Sequence, residues 1–249
     1  MSTSLETSAE PKTKQSEFDR RNVRNRFGFR WTNYLRSWFG TPSQRRLAYG
    51  ALQIGHIRYW EKQYATLTDK EILQTGWKLK GRARGGESLD VLLPEVFGLV
   101  SQAAYRSVGL RPYDVQLAAG VVLHNGALAE VATGEGKTLI ATAPTALNAL
   151  VGKGVHVTTV NDYLALRDGD WTSNIYNAIG LGVGILQQKM EDEHRTMAYK
   201  QDITYGTASE FGFDFLRDRL KLKGGQVTTA PFFSALTKAI WMTTQAHTA

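Results

Sequence analysis

Val131-Ala132-Thr133-Gly134-Glu135-Gly136-Lys137-Thr138 is the stretch whose residue types and spacing most plainly suit chemistry, and that chemistry is phosphate binding. Its glycines let backbone N–H groups approach phosphate oxygens with no Cβ in the way. The Lys137 ammonium suits β- and γ-phosphates, and the Thr138 hydroxyl suits Mg2+. A helix starting here adds the positive end of its dipole to the same anion. The full pattern Gly-x-x-x-x-Gly-Lys-Thr is not met, because its first position is Val131; what remains is the helicase-style variant with glycines at 134 and 136. A bare Gly-Lys-Thr also suits a glycine-rich turn ahead of a surface helix.

A phosphate loop needs strand, turn and helix in that order. Ala127-Leu128-Ala129-Glu130-Val131 is a short apolar run that reads as the strand, and the Ala/Leu-rich run Thr138 to Leu150 reads as the helix. Asp114 to Leu123 is a further helix ahead of them. Beyond, the β-branched run Val155 to Val160 reads as a buried strand. Tyr163 to Ala178 reads as helix, Gly182 to Leu186 as a short strand, Glu191 to Lys200 as a charged helix and Asp202 to Thr207 as a third strand. Strands alternating with crossover helices imply an α/β fold, a parallel sheet with helices on both faces. Such sheets bind ligands at the carboxyl ends of their strands. Thr133–Thr138, Asn161-Asp162 and Gly206-Thr207 are therefore expected to converge on one edge. Upstream, Ser43 to Val108 reads as helical: Thr68 and Glu71 form a capping box, and Leu92, Val96, Leu99, Val100 and Ala103 recur at helical spacing.

Of 249 residues, 42% are hydrophobic and 21% charged, a globular balance with room for a sizeable core. There is no cysteine, which excludes disulfides and thiolate chemistry, and the five histidines lack ligand spacing. No apolar run reaches the roughly 18–20 residues of a membrane span. No apolar segment follows Met1, so a cytoplasmic location is expected. The net charge of +7 is unevenly spread: residues 1–50 hold ten Lys/Arg against four Asp/Glu, so six of the seven net charges sit there.

Residues 1 to about 25 are polar and short of apolar periodicity, and disorder is expected of them. Phe27 to Phe39 then interleaves aromatics with arginines. Such a stretch suits an anionic bilayer surface, stacking on nucleic-acid bases, or a helix packed on the domain with a solvated basic face.

Arg111-Pro112-Tyr113-Asp114-Val115-Gln116-Leu117, Thr133–Thr138, Gly154 to Ala165 (with Asn161-Asp162-Tyr163-Leu164-Ala165) and Asp202 to Asp218 (with Tyr205-Gly206-Thr207) resemble, in unbroken order, the SecA preprotein translocase ATPase family. Leu67 to Glu71 and Leu92 to Phe97 look like that family's N-terminal helices. The resemblance covers about residues 66–220. It implies part of the first RecA-like domain of a superfamily-2 motor, with ATP and Mg2+ as cofactors. By that resemblance Gln116 would hydrogen-bond the adenine, with Leu110 and Tyr113 against the ring. Gly134, Glu135, Gly136, Lys137 and Thr138 would hold the phosphates and Mg2+, and Asn161, Asp162 and Thr207 would relay nucleotide state. Implied partners are unfolded preproteins, a SecYEG-type channel and an anionic membrane surface met through residues 20–46, at the inner face of a bacterial membrane.

The family continues into a strand ending in an Asp-Glu pair that holds Mg2+ through water and orients the attacking water. Here no Asp or Glu follows Asp218, so no catalytic carboxylate is assigned, and slow or absent hydrolysis is expected of the chain alone. The expected organisation is a basic extension at 1–45, a helical segment at 46–108, the first half of the RecA-like domain at 109–226, and an atypical tail at 227–249 from a truncated or frameshifted gene. Two other functions fit the same core: a nucleic-acid helicase, which the Asp162 carboxylate and the near-neutral charge of 51–249 oppose, and a non-catalytic lipid- or channel-binding fragment.

Overall fold

Side-chain caps set the helical first half. Helix α1 spans Arg30–Phe39 and α2 spans Pro42–Tyr64. Thr41 caps α2 reciprocally: Gln44 N donates to Thr41 Oγ1 (3.4 Å) and Thr41 N to Gln44 Oε1 (3.1 Å). The expected Thr68–Glu71 box opens α3 (Asp69–Arg84), with Thr68 N donating to Glu71 Oε2 at 2.7 Å. Ser88 caps α4 (Leu89–Val108), whose apolar spacing is borne out: Leu92, Val96, Leu99, Val100 and Ala103 are all buried. Helix α5 is Asp114–His124. The computed structural model describes residue 27, residues 30–223 and residues 238–241; the expected disorder of 1 to about 25 lies outside them.

Helix α6, Lys137–Ala149, is buried from Leu139 through to Ala149. A helix apolar all round must sit inside a fold, and α6 packs among α4, α5 and the next helix. Then come β1 (Val155–Thr159), α7 (Asp162–Ala178), β2 (Val183–Ile185), α8 (Asp192–Tyr199), β3 (Ile203–Thr207), α9 (Ala208–Lys223) and β4 (Lys238–Trp241). The sheet is parallel, in the order β2-β3-β1-β4. Every residue of β1 and β3 is buried, as expected of parallel strands covered on both faces. Val155, Val157, Ile203 and Tyr205 join the main core with α4, α6 and α7. On the opposite face a smaller core gathers Leu186, Ala198 and Phe211. The chain is thus a partial RecA-like α/β domain behind an N-terminal helical segment.

One expected strand is missing. Ala127 to Val131 forms no ladder. Central β1 already has β3 on one side and β4 on the other, and the run pairs with neither outer strand, β2 nor β4. Leu128 is 92% exposed, so the run is not buried either. Residues 238–241 of the expected atypical tail supply β4; the rest of that tail lies outside the described residues.

Glu210, Asp214 and Arg195 lock α8 to α9: Arg195 Nη1 donates to Asp214 Oδ2 at 2.6 Å, Arg195 Nη2 donates to Glu210, and Tyr199 Oη donates to Asp214 at 2.9 Å. Beside them His156 of β1 is buried and stacks on Phe211, ring centroids 4.5 Å apart. Burial pushes its imidazole down to about 4 from 6.5. The fold prefers the neutral ring, so this contribution is complete above pH 6.5 and is lost as pH falls from there toward 4. The displacement corresponds to roughly 3 kcal/mol. Urea midpoints at pH 7 and pH 4 are expected to fall further in the parent than in His156→Phe; parallel curves would contradict this.

Candidate functional site

The loop before α6 turns on two glycines with positive φ, Gly134 at 85° and Gly136 at 77°. Gly136 is the N-cap residue of α6, and no side chain caps the helix there. Ile140 N donates to Gly136 O at 3.0 Å, the first rung of the ladder. The N–H groups of Lys137, Thr138 and Leu139 precede it and are the donors a helix leaves over. Thr138 and Leu139 of this first turn line a cavity of about 530 Å3, together with the loop, the segment before α5 and α7.

Leu110, Tyr113, Gln116, Gly134, Glu135, Gly136 and Thr138 all line this one cavity. Lys137 does not; it sits half-buried at the first helical position. Gln116 is buried, and its amide joins the two halves of the site. Its Oε1 accepts from Tyr113 N at 2.8 Å, and its Nε2 donates to Glu135 O at 2.8 Å. A primary amide has two donors and two acceptor sites. One donor and one acceptor therefore have no partner among the described residues.

Asn161, Asp162 and Thr207 are not part of the cavity lining. They do meet each other at the carboxyl edge, since Thr159 pairs with Thr207 and Thr159 Oγ1 donates to Asn161 O (3.0 Å). There they start helices: Asn161 Oδ1 accepts from Leu164 N at 2.8 Å, and Thr207 Oγ1 from Glu210 N at 3.3 Å. Asp162 Oδ2 accepts from Gln188 N at 3.1 Å. The convergence expected of three polar clusters is thus two clusters at the strand ends; the phosphate-type loop follows no strand and meets α7 one and a half turns in.

Residues that sequence reasoning missed complete the wall: Arg111, Leu139, Arg167, Asp168 and Trp171. Thr138 Oγ1 donates to Asp168 Oδ2 at 3.3 Å, while Arg167 Nε and Nη2 donate to Asp168 Oδ1 at 2.8 and 2.7 Å. Asp168 is buried on the face of α7 that carries Ala165, Thr172, Ile175 and Tyr176. An acid on the apolar stripe of an amphipathic helix was the available signal.

The chain is similar to known proteins along most of its length. The SecA DEAD-like domain family model matches residues 35–239. "Protein translocase subunit SecA" of Oleidesulfovibrio alaskensis is 48% identical over 198 residues, covering 80% of this chain and 23% of that protein. The proteins of the same name from Geobacter metallireducens (49% over 197 residues; 79% and 22%) and Acidiphilium cryptum (50% over 191 residues; 77% and 21%) are similar to it in the same way. The chain spans about a fifth of the length of the curated relatives it matches.

A Cβ at Gly136 would lie 2.7 Å from Gln116 Nε2, and the backbone there is left-handed. Gly136→Ala is expected to lower stability by about 1–2 kcal/mol, a fall in Tm of about 3–7 °C. An unchanged Tm would contradict the geometry given for the loop.

Proposed function

The chain belongs to the SecA DEAD-like domain family, and from that premise we propose that it is the nucleotide-binding part of a motor that couples ATP hydrolysis to export of preproteins through a membrane channel. The observation that carries this reading is the cavity itself. It joins an amide with one donor and one acceptor to spare (Gln116) to an uncapped helix N-terminus behind two left-handed glycines.

In this reading Gln116 reads the adenine edge, while Leu110 and Tyr113, both partly exposed at the cavity, cover the ring. The N–H groups at the start of α6 take the phosphates, and Lys137, the first residue of that helix, adds its ammonium. Mg2+ fits the oxygen donors present, the Thr138 hydroxyl and the Asp168 carboxylate, which suit a hard cation. When bound it would neutralise charge on the phosphates. Arg167 holds Asp168 in place and has a half-exposed guanidinium of its own at the cavity. Asn161, Asp162 and Thr207, at the starts of α7 and α9, suit a relay role because movement of either helix passes through them. In the same reading the chain divides into a basic extension at 1–45, a helical segment at 46–108, the first half of the RecA-like ATP-binding domain at 109–226 and an atypical tail at 227–249.

No Asp or Glu follows Asp218, so the chain by itself is proposed to bind nucleotide with little turnover. Nucleic acid suits it poorly: Asp162 sets a carboxylate at the strand end, and only one of the seven net charges lies beyond residue 50. A second reading, a lipid- or channel-binding module without turnover, draws on α1. Trp31, Tyr34, Leu35 and Trp38 form one helical stripe and are between 51% and 74% exposed, beside Arg30, Arg36, Arg45 and Arg46. An exposed aromatic stripe flanked by arginines suits an anionic bilayer at the inner face of the cell membrane. Among the described residues no helix is long and apolar enough to cross a membrane.

Equilibrium binding of fluorescent Mg-ATP is expected to weaken at least about tenfold in Lys137→Ala, with phosphate release near background in both chains. Turnover above about 1 s−1 that Lys137→Ala abolishes would contradict the non-hydrolytic part of the proposal; unchanged binding would contradict the site. Co-sedimentation with phosphatidylglycerol vesicles is expected to exceed that with phosphatidylcholine, and to drop at least about fivefold in the double variant Trp31→Ala, Trp38→Ala, since each buried aromatic contributes well over 1 kcal/mol. Equal binding of both vesicle types would remove the membrane from the partners.

A further inference from the structure

Helix α2 carries a carboxylate with no exposed surface. Glu61 is fully buried. Its Oε1 accepts from Ser101 Oγ (2.5 Å) and Arg111 Nε (2.7 Å). Its Oε2 accepts from Arg58 Nη1 (2.7 Å) and Arg111 Nη2 (3.0 Å). Gly98 of α4 makes the close approach possible, because a Cβ there would lie 2.8 Å from Glu61 N. Burial pushes the Glu61 carboxyl up, but the Arg111 hydrogen bond and the Arg58 and Arg111 charges outweigh it and hold it below its usual value.

The network runs on to the cavity. Arg58 Nε donates to Asp114 Oδ1 at 2.8 Å and Arg58 Nη2 to Pro112 O at 2.7 Å. Arg111, Pro112 and Asp114 are thus all held from one acid some fifty residues earlier in the chain. Leu110 to Tyr113 has no regular secondary structure, so these anchors set its path. The next residues on that path are Tyr113, whose N–H donates to Gln116 Oε1, and Gln116 itself. A buried ion cluster is a poor stabiliser compared with apolar packing of the same volume; what it supplies is fixed geometry through a bidentate guanidinium fork.

We propose that Glu61 is a positioning residue for purine recognition: through Arg58 and Arg111 it sets the segment Leu110–Tyr113, and with it the Gln116 amide, against the loop Gly134–Gly136. This rests on the nucleotide reading of the cavity. A purely structural role would weaken every ligand alike. A positioning role separates the base from the phosphates.

The test uses the whole chain with Glu61→Gln and, because loss of a buried charge can prevent folding, the milder Asp114→Asn. Amide hydrogen exchange without ligand, and affinities for Mg-ATP and for inorganic tripolyphosphate, are measured on each. In Glu61→Gln, exchange at Tyr113, Gln116 and Leu117 is expected to accelerate about tenfold with β1 and β3 unchanged. ATP affinity is expected to fall about tenfold, equivalent to 1.4 kcal/mol, with tripolyphosphate affinity within twofold of the parent. Asp114→Asn is expected to show the same pattern at about two- to threefold, and carries the test alone if Glu61→Gln does not fold. Equal losses for ATP and tripolyphosphate, or unchanged exchange at 113–117, overturn the proposal. If exchange responds as expected but the parent chain takes up neither ATP nor tripolyphosphate, the nucleotide reading has failed, and the purine role of Glu61 falls with it.

Discussion

Helix α6 is buried along its whole length after the first two residues, and that burial decides where its leftover N–H groups emerge. A helix in this position cannot slide or fray without opening the core against α4, α5 and α7. Its first turn is therefore a fixed set of donors. The loop ahead of it has to turn sharply to expose them, which is why the glycines at 134 and 136 adopt positive φ. The charge balance of the cavity follows from the same placement: the positive end of the helix sits beside Asp168, and Arg167 and Thr138 hold that carboxylate at both oxygens.

Two polar tethers then connect the fixed helix to segments that are not fixed by helix or strand. Gln116 bridges Tyr113 N and Glu135 O, so the segment before α5 and the glycine loop share one side chain. Glu61, with Arg58 and Arg111, ties that segment back to α2 and α4. The N-terminal helices are thus part of the site's geometry and not only a preceding domain. By contrast the aromatic stripe of α1 faces away from the core: of that helix only Asn33 is buried, donating to Phe27 O at 3.0 Å.

Local physics made much of this legible in sequence. The Thr68–Glu71 box and the periodic apolar face of α4 each state their structure within a few residues and are borne out in the fold, and the β-branched run at 155–160 is a buried strand over Val155–Thr159, with Val160 exposed beyond it. Glycine spacing gave the turn before α6. Ala127 to Val131 misled because a strand exists only where it pairs with a neighbour, and no local pattern carries that information. Arg167, Asp168 and Trp171 were hidden because they reach the loop from a helix thirty residues on, although an acid on an apolar stripe is a visible anomaly. The local pair Arg58–Glu61 at i,i+3 reads as an ordinary surface pair, since the partners that bury Glu61, Ser101 and Arg111, lie forty and fifty residues away. Asn161, Asp162 and Thr207 are at strand ends as read, but their side chains start helices and do not line the cavity.

We propose that the donors at the start of α6 and the Gln116 amide form one purine-triphosphate site. Titrating nitrogen-15-labelled chain with Mg-ATP tests it most directly. The largest shifts are expected on the backbone amides of Gly134 to Leu139 and on the Gln116 side-chain amide, both saturating together. Shifts confined to other surfaces, or none at these positions at millimolar nucleotide, would contradict it.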